Sequence, residues 1–259
     1  MIYEEELGRG RFGIVYKGKW RYVPVAIKNV KIIEQDYVND LLREATVMLE
    51  LRPHPNVVSL LGVCADKNNY AIITEYLDGG SLEKYLKGDK VLNLSTIVKI
   101  LMDVAMGMVH LHTEGVVHRD VASRNVLLSG SPVHAKIADF GFAKVIEKYG
   151  NSSVEAFGGA VRWMPPEAIR YNTFSKYSDA WSFGILCYEC FAREDPFPNH
   201  SLSQLIIDIG NSYATPALPP NVPPFLKSLV QNCWQREPTE RPTFHDIVEV
   251  LSKNITQNE

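Results

Sequence analysis

Cysteine is scarce. Four residues, Cys64, Cys187, Cys190 and Cys233, in a chain of 259 are too few for a disulfide framework. Cys187 and Cys190 have the C-x-x-C spacing of redox and metal sites, but they lie in the apolar run SFGILCYECFA, and no second pair of ligands accompanies them. Two small apolar residues in a buried helix is the reading that this context supports. No apolar stretch reaches the roughly 18 residues of a membrane span. The opening residues, MIYEEELGRG, are acidic and contain no signal-peptide apolar region. Excess charge is also lacking. The net charge of -3 gives no support for a nucleic-acid partner. There is no internal repeat and no low-complexity segment. Four N-x-S/T sequons, at Asn93, Asn151, Asn199 and Asn254, are of the kind that chance supplies.

What is present is an ordinary globular composition, 46% hydrophobic and 22% charged, enough to bury a sizeable core in one large domain or in two lobes. IYEEEL, IVYKGKW and VPVAIKNV read as strands, rich in Val, Ile and Tyr. YVNDLLREATVMLEL places Leu42, Ala45, Val47, Met48 and Leu51 at helical spacing. HPNVVSLLGV and NYAIITEYL read as strands again. Beyond Ser81 the pattern is mainly helical: LSTIVKILMDVAMGMVHLHTEG, SDAWSFGILCYECFA, LSQLIIDIG and PPFLKSLVQNCW. Two short strands, NVLLSG and AKIADF, interrupt it. The expectation is a small sheet-rich lobe, a hinge near Glu75–Gly80 and a larger helical lobe.

Gly8, Gly10 and Gly13 form G-x-G-x-x-G followed by Val15. Dinucleotide-binding folds carry a similar pattern, but there the glycines open a helix. Here a β-branched and aromatic segment follows, so the pattern reads as strand, glycine turn, strand. Such a loop can close over a nucleotide, because glycine lets the backbone approach phosphates. A plain glycine-rich hairpin is the alternative. Val25-Ala26-Ile27-Lys28 puts a lysine in an apolar strand, where an unpaired charge is costly. Glu44, in the helix that follows, is the candidate partner. A surface ion pair remains the alternative on spacing alone.

His118-Arg119-Asp120-Val121-Ala122-Ser123-Arg124-Asn125 and Ala138-Asp139-Phe140-Gly141 complete the set. With G-x-G-x-x-G and V-A-I-K before them, in this order, they match the signature of the protein kinases, which the chain therefore resembles over essentially its whole length. Val161–Glu167 resembles the family's A-P-E segment with Pro165 for the alanine. Ser178–Gly184 and Cys233-Trp234…Arg241-Pro242 match later landmarks. The resemblance implies an α+β, bilobal fold: an N-terminal lobe over 1–77, with an antiparallel sheet and one key helix, and a mainly helical C-terminal lobe over 78–259. It implies ATP as phosphate donor, with Mg²⁺ or alternatively Mn²⁺, and protein substrates.

The resemblance also assigns residues. Asp120 would accept the substrate hydroxyl's proton. Lys28, fixed by Glu44, would hold the α- and β-phosphates. Asn125 and Asp139 would be the metal ligands. Gly8, Gly10 and Gly13 would cover the nucleotide. Val15, Ala26 and Leu127 would sandwich the adenine. The backbone of Glu75 and Leu77 would bond to it, with Thr74 behind as gatekeeper. Met48, Leu60, His118 and Phe140 would stack into a spine between the lobes. Glu167 and Arg241 would form a buried ion pair.

The loop Asp120–Asn125 resembles the D-L-A-A-R-N of tyrosine kinases. Serine/threonine kinases usually place a lysine where Ala122 stands, and Arg124 would be the substituting cation. Val161-Arg162-Trp163 resembles the same group, whose tryptophan platform helps receive a tyrosine ring. Ala160 departs from that group's usual proline. Tyr149 lies slightly earlier than the usual regulatory tyrosine, beside Ser152 and Ser153. One of these three is expected to be autophosphorylated and to pair with Arg119. The reading is a tyrosine kinase acting in the cytoplasm, as a cytosolic enzyme or the inner part of a receptor, without membrane contact by this domain. The chain is expected to be a catalytic domain cut from a longer protein. The alternatives are serine/threonine or dual specificity, and a pseudokinase binding module.

Overall fold

Alternation of apolar side chains builds the first part of the chain. In the computed structural model, which describes residues 1–10, 13–31, 35–66, 69–89, 92–130, 133–141, 143–145 and 160–255, strands β1 (Ile2–Gly10), β2 (Gly13–Trp20), β3 (Val23–Lys31), β4 (Leu60–Asp66) and β5 (Asn69–Glu75) form one antiparallel sheet in the order β1-β2-β3-β5-β4. Side chains alternate between the two faces of a strand. Val25, Ile27, Ala71 and Ile73 therefore cluster on one face. The intervening residues form the other face, with Ala26 opposite Thr74 and Lys28 opposite Ile72.

Helix α1 (Gln35–Glu50) covers this second face. Leu41, Ala45, Val47 and Met48 are its buried apolar residues, and they cluster with Ile72. Leu42, expected among them, is 38% exposed. Leu41, Ala45 and Met48 follow the i, i+4, i+7 rule, and Leu42 lies a further 100° around the axis. The segment before β4 also departs from expectation. Of the predicted strand HPNVVSLLGV only its end, from Leu60, joins β4 and pairs with β5, and residues 52–59 run irregularly into it.

After β5 the chain crosses to a mainly helical part through β6 (Gly80–Ser81). Gly79 is required at the crossing, because a Cβ there would sit 2.6 Å from the Leu128 carbonyl oxygen. Helices α2 (Leu82–Lys87), α3 (Leu94–Thr113), α4 (Pro166–Tyr171), α5 (Lys176–Ala192), α6 (Leu202–Ser212), α7 (Pro224–Cys233) and α8 (Phe244–Ile255) follow. Short strands β7 (Val116–Val117), β8 (Val126–Ser129), β9 (His134–Ile137) and β10 (Lys144–Val145) carry the connecting loops. Helix starts match side-chain chemistry: Ser81, Asn93 and Ser201 each accept a first-turn N–H, and Ser175 with Ser178 forms a capping box. By length and composition α3 could cross a membrane. Here its apolar side is core, with Ile100, Leu101, Val104, Ala105, Met108 and Leu111 wholly buried.

Helix α5 is buried all round from Ser178 to Cys190, the pattern of a helix at the centre of a lobe. Cys187 and Cys190 are free and buried in it, as their apolar setting implied. Two of its buried residues, Asp179 and Glu189, are acids. One continuous apolar cluster runs from α1 and β5 through Phe140 to α3, α5 and α8. Together these features make the bilobal fold that the motifs implied. Glu167 and Arg241 form the expected pair at 2.7 and 2.9 Å, with the arginine side chain fully buried.

Candidate active site

Lys28 projects from β3 into the space between sheet and helix. Its Nζ donates to Glu44 Oε2 at 2.7 Å and to Asp139 Oδ1 at 3.1 Å. Burial alone would discharge it. The attraction of Asp139 and Glu44 overcomes that and holds the ammonium well above the ordinary lysine range. Burial has the stronger hand at Glu44, whose carboxyl is raised despite Lys28. Asp139 is also desolvated, yet Lys28 and the Gly141 N–H bring it below the usual range. A cation with two acids is thus assembled from a strand, a helix and a loop remote in sequence.

The loop His118–Asn125, which the resemblance makes the catalytic loop, is hung from α5. Asp179 accepts the His118 N–H at 2.9 Å, the Arg119 N–H at 2.8 Å and His112 Nε2 at 2.8 Å. These bonds offset the strain at Arg119, whose φ is +71°. Asp139 is likewise left-handed, at φ +63°. Glu189 accepts from the Ser123 N–H at 3.0 Å and the Ser123 hydroxyl at 2.5 Å. Between these anchors sits Asp120, 5% exposed. Its Oδ1 accepts from Arg124 and its Oδ2 from Asn125 Nδ2 at 2.7 Å. The Arg124 guanidinium also lies 4.1 Å from the centre of the Trp163 ring.

Oxygen donors suited to a hard cation are present. The Asn125 amide gives both N–H bonds to Asp120, to its carbonyl at 2.8 Å and to its carboxylate, which leaves the amide oxygen outward from that pair. The Asn125 carbonyl accepts from Ala138 N at 2.8 Å, joining its segment to the one that carries Asp139. A carboxylate and an amide oxygen are the ligand types that magnesium takes.

Around these lie the remaining predicted positions. Gly10 pairs with Gly13 at the turn of the β1–β2 hairpin, and Gly13 has φ +129°, a conformation that side chains resist. A Cβ on Gly8 would meet nothing within 4 Å. Val15, Ala26, Thr74, Glu75 and Leu127 are half-buried, and Leu127 packs against Leu77, Val58 and Ala138. Met48 and Phe140 share the central cluster, Leu60 packs against it, and the His118 ring stands 5.5 Å from Phe140. Tyr149, Ser152 and Ser153 lie outside the described residues.

Residues 1–251 match the family model described as protein tyrosine and serine/threonine kinase. The chain belongs to the protein kinase family. Members transfer phosphate from ATP to protein hydroxyl groups. The human tyrosine-protein kinase FRK is similar, with 39% identity over 94% of this chain and 49% of its own length. A serine/threonine-protein kinase, VIK, of Arabidopsis thaliana is 34% identical over 95% of the chain and 58% of its length. A probable serine/threonine-protein kinase of Dictyostelium discoideum is 36% identical over 96% of the chain and 27% of its length. The chain thus spans about a quarter to three fifths of these relatives.

The structure brings Lys28, Glu44 and Asp139 into one cluster and Asp120, Asn125 and Arg124 into another, joined by the Ala138 N–H to Asn125 carbonyl bond. Sequence reasoning missed Glu189 and Ser123 as partners, and the threefold role of Asp179. It also missed Lys136, whose Nζ bonds Glu75 at 2.7 and 2.8 Å while the same carboxylate accepts the Ser59 N–H. An acid inside an apolar helical run was the one available signal for Asp179 and Glu189, because a buried carboxylate requires donors.

Proposed function

We propose that this domain is an active kinase whose acceptor is the tyrosine hydroxyl of protein substrates. The observation that carries the reading is the double contact of Arg124, hydrogen-bonded to Asp120 and stacked on Trp163. The cation comes from position 124, while position 122, usually lysine in serine/threonine kinases, is a buried alanine.

Asp120 takes the hydroxyl proton and aims the oxygen at the γ-phosphorus. The new P–O bond forms as the bond to the β-phosphate oxygen breaks, and ADP leaves. A positioned base contributes roughly 10²–10⁴-fold. Lys28, held by Glu44, pairs with the α- and β-phosphates. The glycines of the first hairpin cover the phosphates, Val15, Ala26 and Leu127 enclose the adenine, and Thr74 stands behind it. The Leu77 N–H, which has no backbone partner among the described residues, and the Glu75 backbone bind the adenine edge. Asn125 and Asp139 would hold Mg²⁺, or Mn²⁺ in its place, which neutralises charge on the phosphates. With all five of Lys28, Glu44, Asp120, Asn125 and Asp139 retained, a binding-only module is disfavoured. The lobe boundary is set at 77/78, and the domain is placed in the cytoplasm, where its free cysteines stay reduced. Arg119, whose guanidinium burial depresses to about 10 against the pull of Asp179, is the receiver for a phosphate on Tyr149, Ser152 or Ser153.

A second reading, serine/threonine or dual specificity, is favoured by Ala160, 7% exposed beside Trp163, where tyrosine kinases usually have proline. The deciding assay offers labelled ATP, Mg²⁺ and tyrosine or serine/threonine peptides side by side, with Asp120→Asn as control. Label on tyrosine alone is expected. Label on serine or threonine selects the second reading, and none in either revives the binding module.

A further inference from the structure

Glu189 is a buried acid, 3% exposed, that no part of the transfer chemistry uses directly. It stands on the helix beneath the catalytic loop, and both its oxygens are engaged by Ser123, one residue before Arg124. We propose that Glu189 is a positioning residue for phosphoryl transfer, whose ionised carboxylate clamps Ser123 and so seats Arg124 between Asp120 and Trp163. The proposal rests on Asp120 and Arg124 belonging to the transfer site.

The groups facing Glu189 come from three elements. The catalytic loop supplies the Ser123 N–H and hydroxyl and the Arg124 cation. The segment before α4 supplies Trp163, whose buried indole N–H is turned toward Glu189 and favours the carboxylate. Helix α5 itself supplies Cys190, a thiol pushed far up by burial and then by the Glu189 charge. Burial pushes Glu189 up to about 7 against the lowering effects of Ser123, Trp163 and Arg124. The clamp therefore changes state near neutrality. Above that pH two accepting oxygens hold Ser123 and the negative charge attracts Arg124. Below it one oxygen carries a proton, and the attraction for Arg124 is lost.

The test is kcat against pH from 5.5 to 9 for the whole chain at saturating ATP, with a tyrosine peptide as acceptor. Wild type should lose activity through an acid limb near pH 7. Glu189→Gln keeps the shape and removes the charge. It should lack that limb and run about tenfold below wild type at pH 8, the scale of one charged hydrogen bond, with KM for ATP unchanged. Ser123→Ala removes a donor that favours the carboxylate, so the limb should move to higher pH. An unaltered limb in either variant overturns the proposal. Should Glu189→Gln fail to fold, the Ser123→Ala shift decides alone. Asp120→Asn separates the two levels: wild-type turnover in it sinks the site assignment itself, whereas a dead Asp120→Asn beside an unaltered Glu189→Gln profile sinks this inference only.

Discussion

The Arg124 guanidinium lies 4.1 Å from the Trp163 ring centre while it grips the carboxylate of Asp120. The stack fixes a long side chain that would otherwise sample many rotamers, and a cation–π contact of this kind is worth about 0.5–2 kcal/mol. Replacing Trp163 with alanine should therefore cost roughly tenfold in kcat/KM for a tyrosine peptide, with the KM for ATP little changed. Steady-state kinetics with each substrate varied in turn check this. An equal loss in both KM values would mean that the tryptophan only supports the fold.

Lys28→Met and Asp120→Asn should each cut turnover severely while the chain still folds. Lys28 is held by two acids from different elements, so its loss strikes phosphate binding first. Asp120→Asn should lower kcat by about 10²–10⁴-fold, read in a labelled-phosphate assay. Wild-type turnover in that variant refutes Asp120 as the base.

Asp139→Asn leaves an amide where Lys28 and a metal both want a charge. The variant should need far more Mg²⁺ for half-maximal activity. A Mg²⁺ titration at fixed ATP measures it, and chelation should silence wild type and variant alike.

Arg241 is fully buried and bidentate to Glu167. Removing one member of such a pair strands the other, at a cost of about 3–5 kcal/mol. Arg241→Ala should lower the denaturant midpoint accordingly. A shift no larger than that of a surface mutant would show the pair to be well solvated.

The Glu189 carboxyl has its ordinary value of 4.5 when unfolded and about 7 when folded. Because the folded value is the higher, the unfolded chain releases the proton first, and stability is lost as pH rises from 4.5 to 7. The whole loss is about 3 kcal/mol. Glu189→Gln is spared it. Its melting temperature should gain on wild type between pH 5 and pH 8, even as its activity at pH 8 falls. A constant difference across that range would show that the folded carboxyl is not raised above its unfolded value.

Thr74 is half-buried and faces Ala26 across the sheet. Thr74→Met should weaken inhibitors that reach behind the adenine and leave ATP turnover mostly intact. Equal inhibitor affinity in the two forms would count against its place at the back of the pocket.

The family and the order of its motifs were legible in the linear chain. Each motif is a short local run, and the glycines, Lys28, Asp120, Asn125 and Asp139 carry their chemistry in their residue types. The helical period of α1 was legible as well, but not its rotation about its own axis. Leu41 and Leu42 are equally apolar, and only packing into the core selects Leu41. The tertiary structure alone decided the partners of the buried acids. Asp179 reaches back 60 and 61 residues to the catalytic loop, and Glu189 reaches back 66. No local pattern encodes such pairs, because a carboxylate inside a protein takes whichever donors the fold brings to it, and the fold brings them from another element.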